Sequence, residues 1–352
     1  MPGKEWWRRE NFARKRGGLE SRARIMAALR AQFAAWDFTE VETPCLQVSP
    51  GLEPHIMALA VELGEPLAGG RHPLYLHTSP EFSMKKLLAA GMERIYQIAH
   101  VWRDGERSAT HHPEFTMLEW YRAGEDYQRL MEDCAGLLAA AARAAGVREL
   151  RRGGRRCDPF APPARLTLQQ AFQHYCGIDL LATAPDPLAP DRAALAAEAE
   201  RIGLYVSPND SWEDVFFRIM MDRIEPHLGD GVPLILCEYP LSMAALSRPS
   251  PQDGRVAERF ELYACGVELA NAFGELTDAA EQERRFRADM DLKERLYGLR
   301  YPLDADFLAA LRAGLPPCSG IALGVDRLVM LAVGAETLDE VLWAPVAGGT
   351  GD

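Results

Sequence analysis

The chain has 352 residues, and its 51 acidic against 39 basic side chains give a formal net charge of −12. That balance speaks against a dedicated nucleic-acid surface, which shows a basic excess, while the length allows one large α/β domain or two smaller ones with a real core. Seven scattered cysteines without a C-x-x-C pair exclude the usual zinc patterns; with no apolar leader and no alanine-rich run long enough to cross a bilayer, they point to reduced thiols in the cytoplasm.

Residues 1–20 carry charges and glycines and read as a loose arm. From Ser21, a candidate cap, Ile25, Leu29, Phe33 and Trp36 recur at helical spacing. Residues 38–46 (FTEVETPCL) read as a strand ended by Pro44. The Gly/Pro-rich stretch 62–74 reads as a loop. Residues 94–103 and 114–122 are strand-like and would form a hairpin around a polar loop. A helix follows over 127–145. The basic and then proline-rich segment 148–165 reads as a linker or surface insertion. Residues 167–228 look mainly helical, 234–240 (LILCEYP) reads as a buried strand, and 280–298 and 304–313 as helices. The expected division is an arm over 1–20, a catalytic domain over 21–343 with an insertion at about 146–230, and a tail over 344–352.

Three segments carry the chemistry. In YQIAHVWRDGERSATHHPEFTMLEWY (96–121), strand alternation puts Arg103 on the face of Ala99 and Val101, and Glu119 on the face of Tyr121. An anion-binding arginine beside a carboxylate and a phenol suits a substrate cradle; a solvent-facing charged hairpin is the other reading. In ERFELYACGVELANAFGELTD (258–278), a two-residue turn at Cys265-Gly266 pairs 264 with 267 and 263 with 268. Glu268 then shares a face with Glu261, and two such carboxylates repel unless a cation joins them. Mg²⁺ takes one or two protein carboxylates and completes its octahedron with water and phosphates. Simple alternation leaves Asn271 off that face, so a bulge or a strand end has to intervene. In SGIALGVDRLVML (319–331), Gly320 and Gly324 allow close approach of a flat ligand such as adenine. Arg327 stands at the start of an apolar helix, where the backbone already favours anions. Two arginines for a polyphosphate and two carboxylates for Mg²⁺ make an ATP site, and no G-x-x-x-x-G-K-[ST] P-loop exists in the chain.

In this order the segments resemble motifs 2 and 3 of the class II aminoacyl-tRNA synthetases, with 21–46 resembling motif 1. The likeness is greatest to the lysyl-tRNA synthetase catalytic domain. HHPEFTMLEWY, GVELANAFGELTD and SGIALGVDRLVML resemble, more narrowly, the family of shortened lysyl-synthetase paralogues that attach β-lysine to a lysine of elongation factor P. The resemblance implies an α+β fold, an antiparallel β-sheet flanked by helices, that acts as a homodimer. It implies ATP with Mg²⁺, (R)-β-lysine or lysine as substrate, elongation factor P as partner, and an aminoacyl-adenylate intermediate. Residues 1–20 leave no room for the OB-fold anticodon domain, so tRNA is not the expected acceptor. The alternatives are a truncated lysyl-synthetase-like transferase for another acceptor, or a non-catalytic regulatory paralogue.

Carried over motif by motif, the resemblance gives Arg103 and Arg327 the catalytic role, on the α- and γ-phosphates. ATP would meet Arg103, Asp104, Gly105, Glu106, His112, Phe115, Glu261, Leu262, Gly324 and Arg327. Mg²⁺ would lie on Glu261 and Glu268. The amino acid would meet Ser79, Pro80, Glu81, Glu119, Tyr121, Glu268, Asn271, Glu275 and Ala322. Two departures stand out: Gly105 replaces the usual adenine-contacting glutamate, with Glu106 next, and His112 replaces a common asparagine. Ala322, where lysyl-tRNA synthetases usually have glycine, instead resembles the shortened paralogues.

Overall fold

The computed structural model describes residues 5–64 and 70–347. Helix α1 (Arg9–Ala35) leads to two short strands, β1 (Thr39–Glu40) and β2 (Leu46–Gln47), then to the hairpin β3 (Ala60–Gly64) and β4 (Arg71–Leu76). Helix α2 (Glu81–Ala89) precedes the long hairpin β5 (Arg94–Trp102) and β6 (Glu114–Ala123), and α3 (Tyr127–Ala145) follows. A small hairpin, β7 (Leu150–Arg152) with β8 (Arg155–Cys157), and β9 (Ala164–Thr167) open a helical section of α4 (Leu168–Cys176), α5 (Arg192–Arg201) and α6 (Trp212–Ile219). Then come β10 (Leu234–Pro240), β11 (Val256–Ala264), β12 (Val267–Gly274), α7 (Ala279–Tyr297), α8 (Ala305–Gly314), β13 (Cys318–Gly324) and α9 (Val325–Val333).

Eight strands form one sheet in the order β1-β5-β6-β13-β12-β11-β10-β9, antiparallel except for the parallel edge pairs β1–β5 and β9–β10. On one face the helices α1, α3 and α9 bury Ile25, Leu29, Phe33, Leu137, Leu138 and Leu328 against Trp120, Leu262, Ile321 and Leu323. The other face is covered at one end by the helical section, around Phe172, Trp212 and Phe216, and at the other by α2, α7 and α8, around Phe82, Phe286 and Phe307. The middle of that face carries the site.

One polar clamp ties the three motif-bearing elements together. The buried Arg22 of α1 forms an ion pair with Asp326 at the start of α9 and donates to Thr116 Oγ1 of β6 at 2.8 Å. The second oxygen of Asp326 accepts from the Thr116 N–H at 2.8 Å. Both oxygens of Asp326 and both terminal nitrogens of Arg22 have partners, the kind of matching that lets a buried charge pair be tolerated.

Several local expectations change. Ser21 does not cap α1: it lies inside a helix that already starts at Arg9, with Oγ bonded to Gly17 O at 3.0 Å. Lys15 Nζ reaches Leu342 O at 2.8 Å and Leu19 is buried, tertiary contacts that outweigh the poor helix propensity of Gly17 and Gly18. Only Thr39 and Glu40 of 38–46 pair with the main sheet. The 62–74 stretch contains most of a hairpin rather than a plain loop; its tip, 65–69, lies outside the described residues. Pro73 is accepted there because β2 pairs only with Tyr75 and Leu76, leaving that part of β4 unpaired on one side. The basic segment after 148 is also a hairpin, turned at Gly153-Gly154 with both φ positive and anchored by the buried Leu150 and Cys157.

Candidate active site

Directly paired residues on neighbouring strands project to the same face. The registers therefore place Gln97, Glu119, Ala322, Asn271 and Glu261 in one row across β5, β6, β13, β12 and β11. The adjacent row is Ile95, Tyr121, Gly320, Phe273 and Arg259. Over this face lies a cavity of about 420 Å³, within the range of small-molecule sites.

The Cys265-Gly266 turn has φ of 54° and 70°, the two-residue geometry expected, and pairs Ala264 with Val267 and Tyr263 with Glu268. The register then slips: Leu262 pairs with Ala270 and Glu261 with Asn271, so Leu269 is the extra residue of a bulge. The bulge returns Asn271 to the face of Glu261 and Glu268, while Leu269 is buried in the opposite core.

At one end of the cavity the arginines gather. Arg103 stacks over the Phe115 ring at 5.2 Å, stands 3.7 Å from Glu106, and its buried Nε has no hydrogen-bond partner among the described residues. A buried guanidinium N–H left open calls for an acceptor. Arg327 sits in the first turn of α9 and is held from three sides. It donates to Thr110 O at 3.1 Å and to Glu268 O at 2.8 Å, and meets His111 Nε2 at 2.8 Å. Burial and then Arg327 push the His111 pKa down, so the neutral imidazole accepts from the arginine.

At the other end acids dominate. Glu119 is buried and accepts from Ser79 Oγ and, at 3.0 Å, from Tyr121 OH. Burial, with Glu81 nearby, pushes its pKa up to about 8. Lys85 is buried between Glu81 and Glu275, 2.6 Å from the latter. Against the pull of burial, Glu275 and then Glu81 hold its ammonium above the ordinary value. Three carboxylates against one ammonium leave room for further positive charge. Gly320 forms the floor: a Cβ there would lie 2.2 Å from Tyr121 and 2.3 Å from Glu275, so the space freed by this glycine is filled by those two side chains rather than by a ligand.

Between the ends stand the paired carboxylates. Glu261 accepts from Tyr239 OH at 2.6 Å, Tyr263 OH at 2.7 Å and Arg259 Nη2 at 2.7 Å. Burial and the charge of Glu261 raise the Glu268 pKa, the repulsion expected of two carboxylates on one face. Glu225, from the turn after α6, adds to it: burial, Glu261 and Glu268 push its carboxyl to about 7. Among the described residues no group of three or more His, Cys, Asp or Glu side chains is arranged to hold a metal by itself.

Of the expected residues, Ser79, Glu81, Arg103, Glu106, His112, Phe115, Glu119, Tyr121, Glu268, Asn271, Glu275, Ala322, Gly324 and Arg327 line the cavity. Five stand back from it. Pro80 precedes α2, Leu262 is buried in the opposite core, and Glu261 lies behind Arg259 and its tyrosines. Asp104 bonds through its N–H to Met57 O. Gly105 turns the chain with φ of 78°, so Glu106, not residue 105, presents a carboxylate to the cavity. His112 is buried, bonded to Glu114 O and, through Nε2, accepting from the Val346 N–H at 3.1 Å. Sequence reasoning missed Lys85, His111 and Arg259. Lys85 follows Glu81 by four residues on one helix, and Arg259 precedes Glu261 by two on one strand; both spacings place the pair on a shared face.

A profile of the class II tRNA synthetases of the D, K and N type matches residues 7–347. The elongation factor P–(R)-β-lysine ligase of Haemophilus ducreyi is 40% identical over 324 residues, 92% of each chain. The protein of the same name from Salmonella paratyphi B is 41% identical over 327 residues, 92% of this chain and 93% of the other. That from Yersinia enterocolitica is 40% identical over 330 residues, 93% and 94% of the two chains. The chain belongs to the class II tRNA synthetases and, within them, to the family of elongation factor P–(R)-β-lysine ligases.

Proposed function

We propose that the protein activates (R)-β-lysine, or lysine, with ATP as an aminoacyl-adenylate and transfers it to the ε-amino group of a lysine of elongation factor P. One observation carries this reading: a single cavity joins an arginine-lined end to an acid-lined end. The substrate has the matching shape, two ammonium groups and a carboxylate that must meet a phosphate. Glu81, Glu119 and Glu275, relieved of mutual repulsion, would hold the ammonium groups. Ala322, paired with Glu119 and Asn271, would set the depth of the pocket beneath them.

In the first step a substrate carboxylate oxygen attacks the α-phosphorus in line, and the bond to the β-phosphate oxygen breaks to release pyrophosphate. Arg103, with its open Nε, would hold the α-phosphate and the attacking carboxylate; Arg327 would hold the γ-phosphate end. Positioning and charge neutralisation suffice for this step, without a general base. Glu268, at the cavity, would hold Mg²⁺, and Glu261 would join it on release of Oε1 from Arg259; the ion supplies charge neutralisation on the phosphates when bound. In the second step the neutral acceptor amine attacks the adenylate carbonyl, an amide forms and AMP leaves.

We further infer a homodimer: β1, in the motif 1-like segment, is an edge strand of the main sheet beside α1. No helix among the described residues is long and apolar enough to cross a membrane, which agrees with the cytoplasmic location expected of an enzyme acting on a translation factor. The test is intact-mass spectrometry of elongation factor P after incubation with the protein, Mg²⁺-ATP and (R)-β-lysine, beside α-lysine and tRNA arms. A single lysyl-sized gain on the factor, largest with β-lysine, is expected. Charging of tRNA instead would make the chain a truncated synthetase, and no reaction in any arm would make it a regulatory paralogue.

A further inference from the structure

Beside the ammonium end, where Glu53 faces Glu81, the cavity continues into a further part. Its walls are two loops, 53–56 and 242–246, with Asp289 and Leu292 of α7 between them. Helix α7 holds both loops through side chains spaced three or four residues apart on one side. Arg285 Nη1 donates to Ala244 O at 2.9 Å and Ser247 O at 3.0 Å, and Gln282 Nε2 donates to Ala245 O at 3.1 Å. One helical turn beyond Asp289, the buried Lys293 donates from Nζ to Glu53 O at 3.0 Å, Pro54 O at 3.1 Å and Ile56 O at 2.5 Å.

An ammonium has three N–H donors, and here all three meet carbonyls of a single loop. A buried cation without donors to spare and without a bonded carboxylate has no substrate to bind; its bonds fix the backbone it touches. That backbone presents Glu53, Pro54, His55 and Ile56 to the cavity. The wall it forms is acidic: Glu53 from the loop, Asp289 from α7 and Glu213 from α6 line it together. Such a mouth suits an incoming ε-ammonium.

We infer that Lys293 is a positioning residue for the transfer step: by tying residues 53–56 to α7 it holds the acceptor-side wall of the cavity in shape. The inference rests on the reading of the acceptor as a protein amine. The groups facing Lys293 are Glu53 and His55 on the loop, Asp289 on its own helix and the Tyr301 ring, 4.6 Å from Nζ. Burial pulls Lys293 down to about 8, against the opposing pull of Glu53 and Asp289. A neutral amine has only two N–H groups, so loss of the proton leaves one of the three carbonyls unpaired.

The experiment compares wild type, Lys293→Met and Lys293→Arg in two assays, ATP–pyrophosphate exchange and transfer to elongation factor P. For Lys293→Met, exchange should stay within about threefold while KM for the factor rises about tenfold or more. Lys293→Arg should recover part of that loss, and the rise of the wild-type KM above about pH 8 should be absent in it. Exchange and transfer falling by the same factor in Lys293→Met, or neither changing, would overturn the proposal. If Lys293→Met does not fold, the arginine variant decides: a KM rising with pH as in wild type refutes the role. Wild type that exchanges but does not modify the factor would instead overturn the proposed acceptor.

Discussion

At the scale of single residues the site is organised by charges that complete one another only when ligands arrive. Arg327 is the clearest case. Its guanidinium already spans β12, the β5–β6 loop and α9, so it is rigid before any phosphate binds. Arg327→Ala should lower ATP–pyrophosphate exchange by about 10²–10³, the loss typical of removing one preorganised charge-stabilising group. Circular dichroism should stay unchanged; normal exchange in the variant would remove the ATP assignment. Ala322 tests the other end. Its methyl group stands between Glu119 and Asn271 and can supply only about 1–3 kcal/mol of discrimination. Ala322→Gly should therefore move the β-lysine to α-lysine ratio of kcat/KM towards α-lysine by about ten- to hundredfold. An unchanged ratio would place selectivity elsewhere in the pocket.

At the scale of elements, the Arg22–Asp326–Thr116 clamp joins α1, β6 and α9, and so fixes Arg327 relative to the hairpin that bears Arg103. Arg22→Met leaves Asp326 charged and buried without its partner, a loss of about 3–5 kcal/mol that urea unfolding should register. The same level shows why sequence reading succeeded in one place and failed in another. The register of β11 with β12 followed from a two-residue turn, because such turns leave only one pairing. The bulge at Leu269 was felt as a conflict over Asn271 but could not be located, since strict alternation contains no extra residue. Gly320 was read as an opening for ligand, whereas Tyr121 and Glu275 occupy it. The motif residues were legible because each segment carries its own pattern. Glu213 and Glu225 were not: they sit in the helical section and its closing turn, and only packing of that section against Tyr239 and Tyr263 brings Glu213 to the cavity and Glu225 beside the paired carboxylates.

At the scale of the whole molecule, the distribution of acid makes a prediction about stability. Burial raises the carboxyls of Glu53, Glu119, Glu213 and Asp289 above their ordinary values, Glu119 to about 8 and Asp289 to about 7. A carboxyl whose folded pKa lies above its unfolded one stabilises the fold fully below the unfolded pKa, and the gain is lost as pH rises through the folded value. The groups shifted the other way are surface carboxylates paired with arginines, such as Glu281, held at about 2 by Arg284 and Arg285, whose effect appears only in acid, and the histidines His55, His77 and His111, which burial lowers and which oppose the carboxyls below about pH 7. Between about pH 5 and 8 the raised carboxyls around the cavity outnumber these histidines, and the melting temperature of the ligand-free protein should fall across that window. Glu119→Gln should flatten the fall, because a neutral amide removes the carboxyl that burial raises to about 8. Saturating lysine should flatten it as well, since its ammonium groups stabilise the ionised acids, and binding at pH 7 should release protons measurable by calorimetry in buffers of different ionisation enthalpy. A melting temperature that rises from pH 5 to 8 in the ligand-free protein would mean that these carboxylates are already compensated within the fold, and the acid-lined end would then lose its physical claim on a doubly charged substrate.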